Sequence, residues 1–247
     1  RHHPSAQWLL GHRLCAEVGV LTDKQANHVN QAIIFDFDGL IIETEAIYCH
    51  IWQREFAKEG LPFDMAGYQN LIGAHHVIGG YKPQQVLADH RKDGVSAREL
   101  REAVEHEALQ TILNEEAKPG VFEVLDEADK RGFLLAVGSS SEQPWVHGHL
   151  KRLGIFDRFD TIVTAEDVNK NAKPAPDIYL KVLENLDVAP QNALVLEDSN
   201  NGVIASHRAG IRVVAVPNEV TTGQDFSLAT AIIPSLKALN LEDFFPV

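Results

Sequence analysis

Ile33-Ile34-Phe35-Asp36-Phe37-Asp38-Gly39-Leu40 is the stretch on which the reading of this chain turns. The apolar run 32–35 reads as a buried strand, and two carboxylates one residue apart follow at its end, where Gly39 lets the backbone turn away. Two negative charges held this close resist joint ionisation, so either one is kept protonated as an acid or a cation sits between them. Both options describe chemistry.

Beyond the Asp pair the period turns helical. Ile47, Ile51, Trp52 and Phe56 fall at helical spacing before Gly60-Leu61-Pro62, and 82–91 and 97–113 suit two more helices, the second with Leu100, Val104, Ala108 and Ile112 on one face. Nothing between 45 and 117 alternates like a strand, so the stretch is expected to be a helical insertion. From Lys118-Pro119-Gly120 onward, helices and strands alternate. Strands are expected at 133–137, 161–163, 193–196, 212–216 and near 231–233, with a short helix in the tail. Val121, Val124, Leu125 and Ala128, then Val146, Leu150 and Leu153, then Ile178, Val182 and Leu186 mark the helices between them, and another follows Asn200. This order implies an α/β chain with a parallel sheet covered on both faces. Ligands of such sheets sit at the carboxyl ends of the strands.

Three more strings fall at those ends. Gly138-Ser139-Ser140-Ser141 follows a strand and precedes a helix, and taken alone it reads as a helix N-cap at least as readily as a catalytic element. Ala172-Lys173-Pro174-Ala175-Pro176-Asp177 sets one Lys beside two prolines that hold the backbone extended. Leu196-Glu197-Asp198-Ser199-Asn200-Asn201-Gly202 ends a strand with two further acids, of which Asp198 also suits a cap for the next helix.

Phe35-Asp36-Phe37-Asp38-Gly39-Leu40 with Glu43-Thr44-Glu45 resembles the first motif of the haloacid dehalogenase superfamily, in the branch holding beta-phosphoglucomutase and small-molecule phosphatases, and the other three strings match its second, third and fourth motifs in order. The resemblance implies a Rossmann-like core over 30–44 and 118–247, and a helical cap over 45–117 that closes over the substrate, a rigid helical subdomain being the alternative. It implies that Asp36 attacks phosphorus, Asp38 acts as general acid and base, Ser139 donates to a phosphoryl oxygen and Lys173 neutralises the nucleophile and the transferring group. It further implies Mg²⁺, held by the Asp36 carboxylate, the Asp38 backbone carbonyl and Asp198, with Glu197 acting directly or through a bound water. Asp38 together with Glu197-Asp198 argues against dehalogenation.

Departures from the pattern shape the expected reaction. Glu43 stands where the branch usually has Asp, and Tyr48 and His76 stand where the mutase is expected to carry a His and an Arg. Hydrolysis of a small phosphate monoester, exemplified by a sugar phosphate, through an aspartyl-phosphate is therefore expected. A phosphosugar mutase is the runner-up, and a non-catalytic binding module on the same scaffold is the reading from another class. His75 and His76, between Gly73 and Gly79-Gly80, lie where the family's cap loop reads the substrate, and with Lys82 they are specificity candidates; exposed loop histidines without a role are the plainer reading. Trp145 and His149 are expected to be a packed Trp and an exposed His.

Composition bounds the partners. Twenty-two basic against 35 acidic residues give a net charge of −13, which disfavours nucleic acid and anionic membrane surfaces and leaves a small phosphorylated metabolite, provided a metal ion and a local Lys offset the field. No stretch approaches the ~20 apolar residues that span a bilayer. Cys15 and Cys49 have neither metal nor redox spacing, and free thiols suit a reducing, cytoplasmic setting. A monomer is expected. Residues 1–29 are set apart as an extension of unassigned role; a short helix over 5–20 is expected there, without the apolar core of a secretory signal, and a processed organelle-targeting segment is the alternative.

Overall fold

β1 (Ala32–Phe35) is the hub because its side chains alternate between two cores. Ile33 and Phe35 join the apolar cluster on one face of the sheet, Ala32 and Ile34 the cluster on the other, and all four are fully buried. The computed structural model describes residues 30–74 and 80–246, so the extension 1–29, Cys15, His75 and His76 lie outside the described residues.

The remaining strands are β2 (Leu134–Gly138), β3 (Thr161–Val163), β4 (Ala193–Glu197), β5 (Arg212–Ala215) and β6 (Ala231–Ile232). They form one parallel sheet in the order β3-β2-β1-β4-β5-β6. Phe35 lies in register with Val137 on β2 and Leu196 on β4, so the ends of these three strands open onto one place. The chain runs outward from β1 to β3, then crosses back to β4, and that reversal opens a crevice beyond β1 and β4. α5 (Val121–Arg131) and α6 (Gln143–Arg152) pack on one face; α7 (Asp177–Leu186) and α8 (Asn200–Arg208) pack on the other. The expected α/β sheet, helix-covered on both sides, is thus present.

Between β1 and α5 the chain inserts α1 (Glu45–Lys58), α2 (Met65–Gln69), α3 (Pro83–Arg91) and α4 (Ala97–Ile112). α4 buries Leu100, Val104, Ala108 and Ile112, the stripe read from the sequence, and begins at a Ser96/Glu99 capping box. α2 was not expected, since one turn of Met65-Ala66-Gly67-Tyr68-Gln69 carries no apolar period. The two crossings into the insertion touch: Lys118 N–H donates to Ile41 O at 2.8 Å, and the Lys118 ammonium pairs with Glu43 at 2.5 Å. Glu43 also caps α1 by accepting Ala46 N–H at 3.1 Å, so the longer carboxylate at this position does local structural work. The short tail helix is realised as two 3₁₀ turns, Leu236–Ala238 and Leu241–Asp243. Among the described residues no helix is long and apolar enough to cross a membrane.

Candidate active site

Asp36 is the first residue past β1, and its N–H donates to Leu196 O of β4 at 2.9 Å. That bond fixes its carboxylate in the crevice, where it is 5% exposed. Lys173, fully buried, donates to Asp36 Oδ1 and, at 2.7 Å, to Glu197 Oε1. Burial alone would lower the Lys173 pKa, but the Asp36 and Glu197 carboxylates outweigh it and hold the amine above its ordinary value. The third motif therefore supplies a charged ammonium in a dry place.

Glu197 is wholly engaged. Its Oε1 accepts Tyr179 Oη–H at 2.5 Å besides Lys173; its Oε2 accepts the N–H groups of Asp198 (3.1 Å) and Ser199 (3.3 Å) and the Ser199 hydroxyl (3.1 Å). The start of α8 must approach closely to do this: a Cβ on Gly202 would stand 1.7 Å from Glu197 Oε1.

Asp198, 1% exposed, accepts Asn218 Nδ2–H on Oδ2 at 2.7 Å, while its Oδ1 is buried without a partner among the described residues. Asp36, Glu197 and Asp198 each bring a carboxylate oxygen within 4.8 Å of the others. Three carboxylates around one ammonium leave excess negative charge out of water. Burial, then Glu197, push Asp36 up to about 8 against the pull of Lys173, and burial with Asp36 and Glu197 pushes Asp198 well above the ordinary carboxylate range. An orphaned, buried carboxylate oxygen is costly and calls for a positive partner. An all-oxygen donor set of this kind fits a hard divalent cation. The Asp38 carbonyl takes no part in the bridge beside it: Gly39 N–H donates to Ile42 O (2.8 Å) and Ile42 N–H to Phe37 O (3.4 Å).

Asp38 faces a cavity of about 570 Å³ between the sheet end and the helical insertion. Its Oδ1 accepts Trp145 Nε1–H at 2.9 Å and its Oδ2 accepts the Ser141 hydroxyl at 2.5 Å. Ser139, 1% exposed, accepts Ser141 N–H at 3.0 Å on its hydroxyl oxygen, which leaves the O–H to donate toward the cavity it lines. The insertion adds Glu45, Tyr48, Trp52, Lys82, Arg101 and Glu105 to the walls.

The chain matches the family described as haloacid dehalogenase-like hydrolase over residues 33–216. It is 38% identical over 191 residues to the YhcW protein of Bacillus subtilis, covering 77% of this chain and 85% of that one. It is 34% identical over 205 residues to the phosphorylated carbohydrates phosphatase of Thermotoga maritima, covering 82% and 92%. Among solved structures, a CbbY mutant from Rhodobacter sphaeroides in complex with xylulose-(1,5)bisphosphate superposes with a TM-score of 0.66 at 28% identity, covering 86% of this chain and 97% of that one. This chain is a haloacid dehalogenase-like hydrolase.

In this hydrolase Asp36, Ser139, Lys173, Glu197 and Asp198 converge as a buried group beyond β1, β2 and β4, and Asp38 stands beside them at the cavity. Lys82 is exposed and lines the cavity from the residue before α3; His75 and His76 lie outside the described residues. Three readings are corrected. Ser141, in the string that taken alone reads as an N-cap, holds Asp38 through its hydroxyl, and Trp145, expected only to pack, holds the same carboxylate. His149 is 4% exposed rather than surface, because its ring packs 4.4 Å from Trp145 and 6.3 Å from Phe37, centroid to centroid. Burial first, and then Arg152, lower its pKa. No local signal in the sequence marks Trp145 as a partner of Asp38, which lies 107 residues away.

Proposed function

We propose that this hydrolase cleaves a small phosphate monoester by transient transfer of the phosphoryl group to Asp36. The observation that carries the reading is the Lys173 ammonium locked between Asp36 and Glu197 beside an Asp198 oxygen with no partner. Lys173 screens the nucleophile from the approaching anion, and Glu197 keeps Lys173 in place. Ser139 O–H and the N–H groups at the start of α6 receive the phosphoryl oxygens. Asp38, oriented by Ser141 and Trp145, gives its proton to the leaving oxygen; it then takes one from the water that attacks the phosphorus of the aspartyl-phosphate, and Asp36 is restored. Asp36, Asp198 and the Asp38 carbonyl would hold Mg²⁺, which supplies charge neutralisation at the transferring group. The phosphate is lost to water, so atoms and charge balance.

For the substrate, the polar, aromatic-walled cavity of about 570 Å³ supports a phosphorylated metabolite of sugar size, in line with the phosphorylated carbohydrates phosphatase it resembles. The helices of the insertion act in this reading as the cap that excludes bulk water.

The test is phosphate release from a panel of sugar phosphates and nucleotides with and without Mg²⁺, with Asp36→Asn in parallel and beta-glucose 1-phosphate followed for isomerisation. Release abolished both by a chelator and in Asp36→Asn is expected. Isomerisation without release would give the mutase instead, and release that persists in Asp36→Asn would remove the nucleophile assignment.

A further inference from the structure

Asn218 follows β5 at the carboxyl end of the strand beside β4, outside all four motifs, and every polar atom of its side chain is used. Its Oδ1 accepts Val220 N–H (2.9 Å), Thr221 N–H (3.0 Å) and the Thr221 hydroxyl (3.2 Å). Two backbone N–H groups can only donate, so the amide oxygen must face them and the amide nitrogen must face Asp198. Nδ2 duly donates to Asp198 Oδ2 at 2.7 Å. The turn is closed from the main chain as well, since Asn218 N–H donates to Thr221 Oγ1 at 2.9 Å and Thr222 N–H to Asn218 O at 2.9 Å. Gly39 leaves room for the pair: a Cβ there would fall 2.0 Å from Asp198 Oδ2 and 2.9 Å from Asn218 Nδ2. On its outer side the same turn meets the insertion, where Gln69 Nε2 donates to Val220 O at 2.7 Å and His50 pairs with Glu219.

We propose that Asn218 is a positioning residue for the cation site: its amide N–H pins one oxygen of Asp198 so that the other is presented to the metal. The inference rests on the metal-dependent reading above. A carboxylate with one oxygen fixed cannot rotate away when the cation leaves, so the site is formed before the metal arrives. Outer hydrogen-bond partners of this sort change metal affinity by about 10–100-fold when removed. The role of the turn is to hold the amide, and Thr221 is part of the turn without touching Asp198.

The experiment is calorimetric titration of Mg²⁺ into the metal-free full chain, without substrate, for wild type, Asn218→Ser and Thr221→Val. Asn218→Ser adds no charge, keeps an acceptor for the turn and is too short to donate to Asp198. The expected result is Mg²⁺ affinity weakened about 10–100-fold in Asn218→Ser and changed less than about twofold in Thr221→Val, with activity of Asn218→Ser restored by raising Mg²⁺. Asn218→Ala, likewise uncharged, reads the same quantity if Asn218→Ser does not give a folded circular-dichroism spectrum. Unchanged affinity in the Asn218 variants, or equal weakening in Thr221→Val, would overturn the assignment. A wild-type chain that neither binds nor needs Mg²⁺ would instead overturn the metal reading itself.

Discussion

Asp36 and Asp38 are two residues apart and are held by opposite kinds of neighbour. Asp36 is paired with the buried Lys173 ammonium, whereas Asp38 is held at the cavity by two neutral donors, Ser141 and Trp145. A group that must give and take a proton needs fixed direction, and neutral donors supply direction without a permanent counter-charge. Trp145→Phe keeps the ring and removes the N–H; at about 1.5–3 kcal/mol for a hydrogen bond to a charged group, kcat should fall about 10–100-fold with KM little changed, and an unaltered kcat in steady-state assays would show that Ser141 suffices. Glu45 offers a pH test. Loss of hydration, then the charges of Asp38 and Asp36, push its pKa up to about 8, so between the ordinary carboxylate range and that value the folded chain keeps a proton that the unfolded chain has lost. Stability of the metal-free protein therefore falls as pH rises through this window, and Glu45→Gln should abolish that contribution. Thermal melts in chelator at about pH 5 and about pH 8 should show the variant gaining on wild type at the higher pH; parallel melting temperatures would refute the shift. The residues legible in the sequence, Asp36, Asp38, Ser139, Glu197 and Asp198, lie in contiguous strings at strand ends, and Lys173 in the string just before α7, past β3 and the 3₁₀ turn Ala165–Val168 rather than at a strand end. Trp145 and Tyr179 act through contacts 107 and 18 residues distant, and neither residue type nor local period announces such a partner.

At the level of elements, the strands were legible to within a residue or so because each is a short apolar run bounded by turn residues, and parallel strands buried on both faces have no other way to read. The one-turn helix α2 and the turn 218–222 were not, since neither has a period; just past that turn, Gln224 accepts Asn200 N–H at 2.8 Å and donates to Gln69 O at 2.7 Å. The elements also differ in how they use glycine. Gly202 opens α8 against the Glu197 carboxylate, which five donors hold in place, so a methyl there cannot be relieved by swinging a free side chain aside. Gly148 sits within α6 with nothing among the described residues within 4 Å of its would-be Cβ. Gly148→Ala should stabilise by about 0.5–1 kcal/mol, the ordinary gain of Ala over Gly in a helix. Gly202→Ala should destabilise by about 1–3 kcal/mol as overpacking does, and should also lower kcat by displacing Glu197 from Lys173. Equilibrium denaturation of the two variants compares them directly, and equal effects would mean that the crowding at Gly202 relaxes freely.

Across the whole molecule the substrate meets a contradiction: a phosphate monoester carries nearly two negative charges, and the chain that binds it carries −13. The cavity repeats the imbalance, with Asp36, Asp38, Glu45, Glu105 and Glu142 on its walls against Lys82 and Arg101, and Arg101 Nε lies 3.5 Å from Glu105. Lys173 is buried beneath the reacting centre and Mg²⁺ would sit there as well, so both act at close range after arrival. The approach is governed by the wider field, which repels. Salt shortens the reach of that field, from a Debye length of about 30 Å at 0.01 M to about 8 Å at 0.15 M, while leaving dry contacts nearly untouched. With Mg²⁺ saturating, kcat/KM for a phosphate monoester substrate should therefore rise a few-fold as NaCl goes from about 0.01 to 0.15 M, and kcat should stay level. A fall over the same range would mean that Lys82 and Arg101 at the cavity wall draw the phosphate in despite the net charge. Lys82→Ala and Arg101→Ala should then invert the slope, which separates attraction by the wall from repulsion by the chain.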